Sequence, residues 1–179
     1  MTFGELTDKI RDDFEKEASV LFSIRFPQIV SLMAITDKPY GLVMELMEKG
    51  SLYKLLHSNE SIDWPRRFSF LFDISIGLNH LHQKNILHRD LKSLNVLLTN
   101  DYKAKLADFG LATTKNNMKT LIVDQNSKAV GTVKWMAPEL LSFQPKYNQS
   151  SDVYAFGIVC WEVAHREIPY SGNNETKRE

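Results

Sequence analysis

Two carboxylates, an amide and a lysine stand at spacings that could do chemistry. The run His88-Arg89-Asp90-Leu91-Lys92-Ser93-Leu94-Asn95 is followed, 18 residues after Asp90, by Asp108-Phe109-Gly110, and 31 residues after Asp108 by the end of Ala137-Pro138-Glu139. Carboxylates can take up protons, carboxylate and amide oxygens suit hard cations, and a lysine can neutralise a developing negative charge. Any one of these triplets arises by chance at roughly one position in several thousand. A lone loop Asp or Asn more often makes turn hydrogen bonds. Three motifs in fixed order, each at the junction of regular elements, leave chance behind.

Those elements can be read from periodicity. From Thr7, a suitable N-cap, Ile10, Phe14, Ala18 and Leu21 fall on one face of a helix that ends near Pro27. Apolar runs at Ile29 to Ala34 and Tyr40 to Met44, separated by Thr36-Asp37-Lys38-Pro39, predict an antiparallel hairpin. Gly50-Ser51 breaks the pattern, Leu52 to Leu56 suits a short helix, and Asp63 with Pro65 starts a long one carrying Phe68, Leu71, Ile74, Leu78 and Leu81 as its stripe. Asn95 to Leu98 and Ala104 to Ala107 predict a second hairpin around Thr99 to Tyr102. After an irregular stretch from Thr113 to Thr132, the nearly all-apolar Asp152 to His165 predicts a buried helix too short for a membrane span. The fold class is therefore α+β.

Composition narrows the partners. With 22 Lys+Arg against 22 Asp+Glu in 179 residues, no long-range field gathers polyanions, and no block of like charge marks a nucleic-acid tail or a membrane stripe. The acid-rich N-terminus does not suit a signal peptide, and the one cysteine, Cys160, offers no internal disulfide. The expectation is a cytoplasmic protein that binds neither nucleic acid nor membrane. Asn-x-Ser/Thr triplets at Asn59, Asn148 and Asn174 read as ordinary polar sequence.

At its three motifs the chain resembles the eukaryotic protein kinases and, within them, the tyrosine-kinase-like branch. LVMELMEKGSLYKLL, HRDLKSLNVLL and KLADFGLA are most similar to the receptor-interacting serine/threonine protein kinases, and the likeness runs from about Phe14 to Tyr170. It implies a kinase-like fold in which 1–48 is small-lobe remnant and hinge and 49–179 is large lobe. It also implies ATP and Mg²⁺ as cofactors, protein Ser/Thr hydroxyls as substrate, an intracellular signalling role and a kinase-domain homodimer. By the same resemblance Asp90 is the proton acceptor, Lys92 the neutralising cation, and Asn95 and Asp108 the Mg²⁺ ligands. Met44 is the gatekeeper, Glu45 to Met47 the hinge and Leu97 the floor under the purine. Glu17 is the helix glutamate that pairs with a strand lysine. Leu21, Leu32, His88 and Phe109 form a stacked column anchored by Asp152, beside Gly110. Arg89 offers a cation to a phosphorylated loop, with Thr113, Thr114, Thr120 and Ser127 as sites. Lys92, with Gly131-Thr132 ahead of Trp135 to Glu139, points to Ser/Thr rather than Tyr specificity.

Counting back from Glu17, the strand lysine and Gly-rich loop of such a kinase fall before Met1, and the last helices, with the arginine that pairs with Glu139, fall after Glu179. The expectation is no turnover from these 179 residues alone. The alternative reading is a truncated pseudokinase serving as a binding or decoy module.

Overall fold

The structure, a computed structural model, describes residues 19, 22–37, 40–108 and 133–171. Glu17, Leu21, Phe109, Gly110, Thr132, the loop hydroxyls from Thr113 to Ser127 and most of the helix expected from Thr7 lie outside the described residues. The rest is α+β, as its patterning requires. Strands β1 (Leu32–Asp37) and β2 (Tyr40–Met44) pair antiparallel, and β3 (Gly50–Ser51), β4 (Val96–Leu98) and β5 (Ala104–Leu106) form a second antiparallel sheet in that order.

The first hairpin is shifted from its expected place. Thr36 and Asp37, expected in the turn, belong to β1, where they pair with Gly41 and Tyr40. The expected strand start at Ile29 is instead drawn to β5, where Ile29 bridges Leu106 in parallel, Val30 N–H donates to Leu106 O at 2.9 Å and Leu106 N–H to Gln28 O at 2.8 Å. A backbone that finds donors and acceptors on another sheet satisfies them there, whatever its local apolar run suggests. Gly50-Ser51, expected as a break, is likewise a strand, held by β4 and entered through Gly50 at φ +69°, which glycine adopts without a Cβ penalty.

Helix starts follow local chemistry. Helix α1 (Leu52–Leu56) is capped by Ser51, whose hydroxyl accepts from Lys54 N–H at 3.3 Å. Helix α2 (Trp64–Gln83) is capped by Asp63, accepting from Arg66 N–H at 3.1 Å, with Pro65 in the first turn. Helix α3 (Gln149–His165) begins three residues earlier than expected, because Asn148 and Ser151 close a reciprocal capping box. Of the Asn148 triplet only Asn148 itself takes part, since Ser151 lies one residue beyond it. The helix ends at Arg166, at φ +57°.

The core lies between α2, α3 and the three-stranded sheet, around Leu52, Phe70, Ile74, Leu81, Leu98, Leu106 and Val159. Phe68, expected on the buried stripe of α2, is instead 64% exposed, and Phe70 takes its place inward. Phe68, Phe70, Leu71 and Phe72 make that turn apolar all round, so periodicity alone does not choose its face. The expected full burial of α3 is also corrected, since Val153 is 56% exposed while Ala155, Val159 and Val163 face inward. Buried Asp73 ties α2 to β5, accepting from Ala104 N–H at 3.1 Å. Among the described residues no helix is long and apolar enough to cross a membrane.

Candidate active site

The 88–95 loop leaves α2 and enters β4, and α3 holds it from below. Asp152, in the first turn of α3, accepts the backbone N–H groups of His88 and Arg89 at 2.9 Å each, and lies 2.8 Å from His82 Nε2. A buried carboxylate with three donors is satisfied where a lone one would be costly. Arg89, between the two anchors, sits at φ +68°. That left-handed conformation costs a non-glycine residue about 1–2 kcal/mol and is sustained only by its surroundings.

Three of the predicted site residues meet directly. Lys92 Nζ lies 2.8 Å from Asp90 Oδ2, and Asn95 Nδ2 donates to the same oxygen at 2.9 Å and to the Asp90 carbonyl at 2.8 Å. The lysine cation and the amide N–H therefore converge on one oxygen of Asp90, and no described residue donates to Oδ1. The Asn95 amide is oriented in turn: with Nδ2 committed to Asp90, its oxygen remains as an acceptor. The second hairpin ties the residue before Asp108 to the same loop. Ala107 N–H donates to the Asn95 carbonyl at 2.9 Å, and Asp108 follows at φ +60° with its side chain exposed.

The residues expected at the hinge gather around a small apolar cluster of their own. Met44 and Leu97 pack against a small apolar cluster of Val30, Met47 and Ala107. Glu45 N–H donates to Ser31 O at 2.9 Å, while Ser31 N–H donates to Glu45 Oε2 at 3.3 Å. The Glu45 carboxylate also pairs with Lys105 Nζ of β5. Burial pushes that carboxyl upward, but Lys105 and the Ser31 N–H outweigh it and hold Glu45 below its usual range. Among the described residues no hydrogen bond uses the Glu45 carbonyl or the Met47 N–H. An apolar surface beside one carbonyl and one N–H suits the edge of a flat heteroaromatic ring.

The family model for protein tyrosine and serine/threonine kinases matches residues 3–178. The chain belongs to that family. It is 40% identical over 170 residues to serine/threonine-protein kinase CTR1 of Arabidopsis thaliana, covering 91% of this chain and 20% of that protein. It is 40% identical over 166 residues to the probable serine/threonine-protein kinase drkC of Dictyostelium discoideum, covering 90% and 22%. It is 37% identical over 179 residues to receptor-interacting serine/threonine-protein kinase 2 of Bos taurus, covering 92% and 32%. The chain thus spans between a fifth and a third of the length of these relatives.

Other residues of this kinase-family site take separate places. Leu32 lies in the main core, and exposed Glu139 accepts from the Ser151 hydroxyl of α3 at 3.1 Å. His88 is fully buried, and burial keeps its imidazole below the usual range against the opposing pull of Asp152, Asp90 and Asp108. The Arg89 guanidinium lies 5.5 Å from the Tyr147 ring centre, and burial lowers its pKa. Burial raises the Tyr147 phenol, reinforced by Asp90 and Asp152 although Arg89 opposes them. Sequence reasoning missed Val30, Ala107, Lys105 and Tyr147, which lie outside the motifs or carry no chemistry alone. The alternation of Ala104-Lys105-Leu106 in β5, which turns Lys105 away from the core, was the one available signal for Lys105.

Proposed function

We propose that the polypeptide containing these residues is a serine/threonine protein kinase that transfers the γ-phosphoryl group of Mg-ATP to protein hydroxyls in intracellular signalling. The observation that carries this reading is the Asp90 carboxylate, bound on Oδ2 by Lys92 and Asn95 with Oδ1 turned to no described donor. Asp90 accepts the proton of the substrate hydroxyl as its oxygen attacks phosphorus, and Lys92 neutralises charge on the transferred group. The Asn95 amide oxygen and the exposed Asp108 carboxylate suit Mg²⁺, a hard cation usually held by one or two protein oxygens plus phosphates. Bound there, Mg²⁺ supplies charge neutralisation on the phosphates. Met44, Met47, Leu97, Val30 and Ala107 enclose the adenine, with the Glu45 carbonyl and Met47 N–H at its edge. Ser/Thr specificity is supported by Lys92 and by the names of the relatives. The division into a small-lobe and hinge part, 1–48, and a large-lobe part, 49–179, and a cytoplasmic location belong to the same reading.

The test is phosphate transfer from Mg-ATP to a generic protein acceptor by the full-length polypeptide and its Asp90→Asn variant. Loss of a positioned base lowers turnover about 10²–10⁴-fold. Transfer that survives Asp90→Asn overturns the reading, and a signalling effect that survives both Asp90→Asn and Asp108→Ala makes the protein a binding module instead.

A further inference from the structure

His80, in the last turn of α2, carries a covered nitrogen that the candidate active site does not use. Its ring stacks on Phe26, with centroids 3.9 Å apart and planes 10° from parallel. Nε2 is shut off from water and among the described residues has no hydrogen-bond partner. A covered polar atom left unpaired costs stability that a phenylalanine at this position would not. The residue as a whole is only half-buried, so a side-chain rotation carries its ring to water.

Phe26 belongs to a segment laid along one face of α2. Asp73, Gly77 and His80 follow at spacings of four and three on successive turns of that face. Gln28 Nε2 lies 3.5 Å from Asp73 Oδ1, the Gln28 carbonyl oxygen lies 3.0 Å from where a Cβ on Gly77 would stand, and Phe26 covers His80. A proton on His80 would put a charge under that ring and, on Nε2, an N–H with no acceptor. The charged groups of the packed elements do not offset it. Lys84, one turn along α2, has the same sign, Asp73 is taken by Ala104 N–H and Gln28, and His82 is turned to Asp152. Between 22 and 31 the one titratable residue is Arg25, which lies over the Phe22 ring, and in β5 it is Lys105, which pairs with Glu45. We infer that the Phe26–His80 stack is a proton-operated latch, closed while His80 is neutral and opened by its protonation, which frees the 26–30 segment from α2. Burial, and then Lys84, hold the imidazole below its ordinary 6.5, so the contact is complete above that pH and weakens as pH falls. Val30, at the end of the segment, belongs to the cluster with Met47 and Ala107, so the latch bears on the proposed adenine site, although the inference stands without that reading.

The test is amide hydrogen exchange of the full-length polypeptide at about pH 7.5 and about pH 5.5, each rate divided by its intrinsic value. Opening at 26–30 should rise severalfold on acidification, up to the limit of about tenfold that one proton allows across this range. His80→Phe keeps a ring for the stack but cannot titrate, and its exchange at 26–30 should change by less than about twofold. It leaves His88 in place, so any general loss of stability in acid is common to both proteins and cancels in the comparison. His80→Gln removes the ring and the titration together. It should exchange fast at 26–30 at the higher pH with no further rise at the lower, and it keeps the inference testable if His80→Phe does not fold. An equal response in wild type and His80→Phe overturns the inference. Slower exchange of the wild-type segment in acid overturns it too, because the imidazolium would then gain more from the face of Phe26 than it loses by burial. None of these readouts depends on phosphate transfer.

Discussion

Asp152 Oδ1 accepts the backbone N–H of Arg89 at 2.9 Å, across 63 residues of sequence, and so fixes the peptide immediately before Asp90. The other oxygen holds His88 N–H in the same way. Asp152→Asn places an amide donor among donors and removes the charge from a site that is 2% exposed. The expected loss of folding stability is about 3 kcal/mol, measured by urea unfolding. A loss near zero would show that water or backbone shifts replace the carboxylate.

Asn95→Ala deletes the amide that orients Asp90 through contacts of 2.8 and 2.9 Å. Turnover should fall at least about 100-fold, whereas stability should fall by about 1–2 kcal/mol. Parallel assays of phosphate transfer and thermal unfolding separate the two. Wild-type turnover in this variant would contradict the proposed function.

Gly77 lies where α2 crosses the 28–30 segment and β5. An added Cβ would come 3.0 Å from the Gln28 carbonyl oxygen and 3.1 Å from Leu106 Cδ1. Because one of these neighbours is backbone, it cannot rotate away. Gly77→Ala should therefore destabilise by about 1–3 kcal/mol despite the better helix propensity of alanine, and a stabilised variant in chemical denaturation would show that the crossing can widen.

The buried imidazole of His88 sets a pH dependence whose sign follows from burial. Its pKa in the folded protein lies below the ordinary 6.5, so below that pH the unfolded chain binds a proton that the folded chain refuses. Stability that is complete above pH 6.5 is lost as pH falls, with a limiting slope of about 1.4 kcal/mol per pH unit from this residue. His88→Phe should lose less stability than wild type between about pH 7.5 and about pH 5.5. Equal losses would mean that His88 is protonated in the folded state.

The motifs were legible because their information is local: Asp90, Lys92 and Asn95 are within six residues of one another. Helix starts were legible for the same reason, since Asp63 caps its own next turn. Strand limits were not. Ile29 left the first hairpin because Leu106, 77 positions away, offered its backbone, and Gly50-Ser51 became a strand because β4 lay beside it.

By itself, then, the sequence determined the order of the elements, the kinase motifs and the groups available for chemistry, all set by neighbours along the chain. Only the tertiary structure decided which backbone groups Asp152 would hold, that Val30 and Ala107 would join Met47, and that Glu162 would meet Ser93, Trp135 and His57. A buried polar group must find its partners in space, and those partners came from positions as far as 105 residues apart.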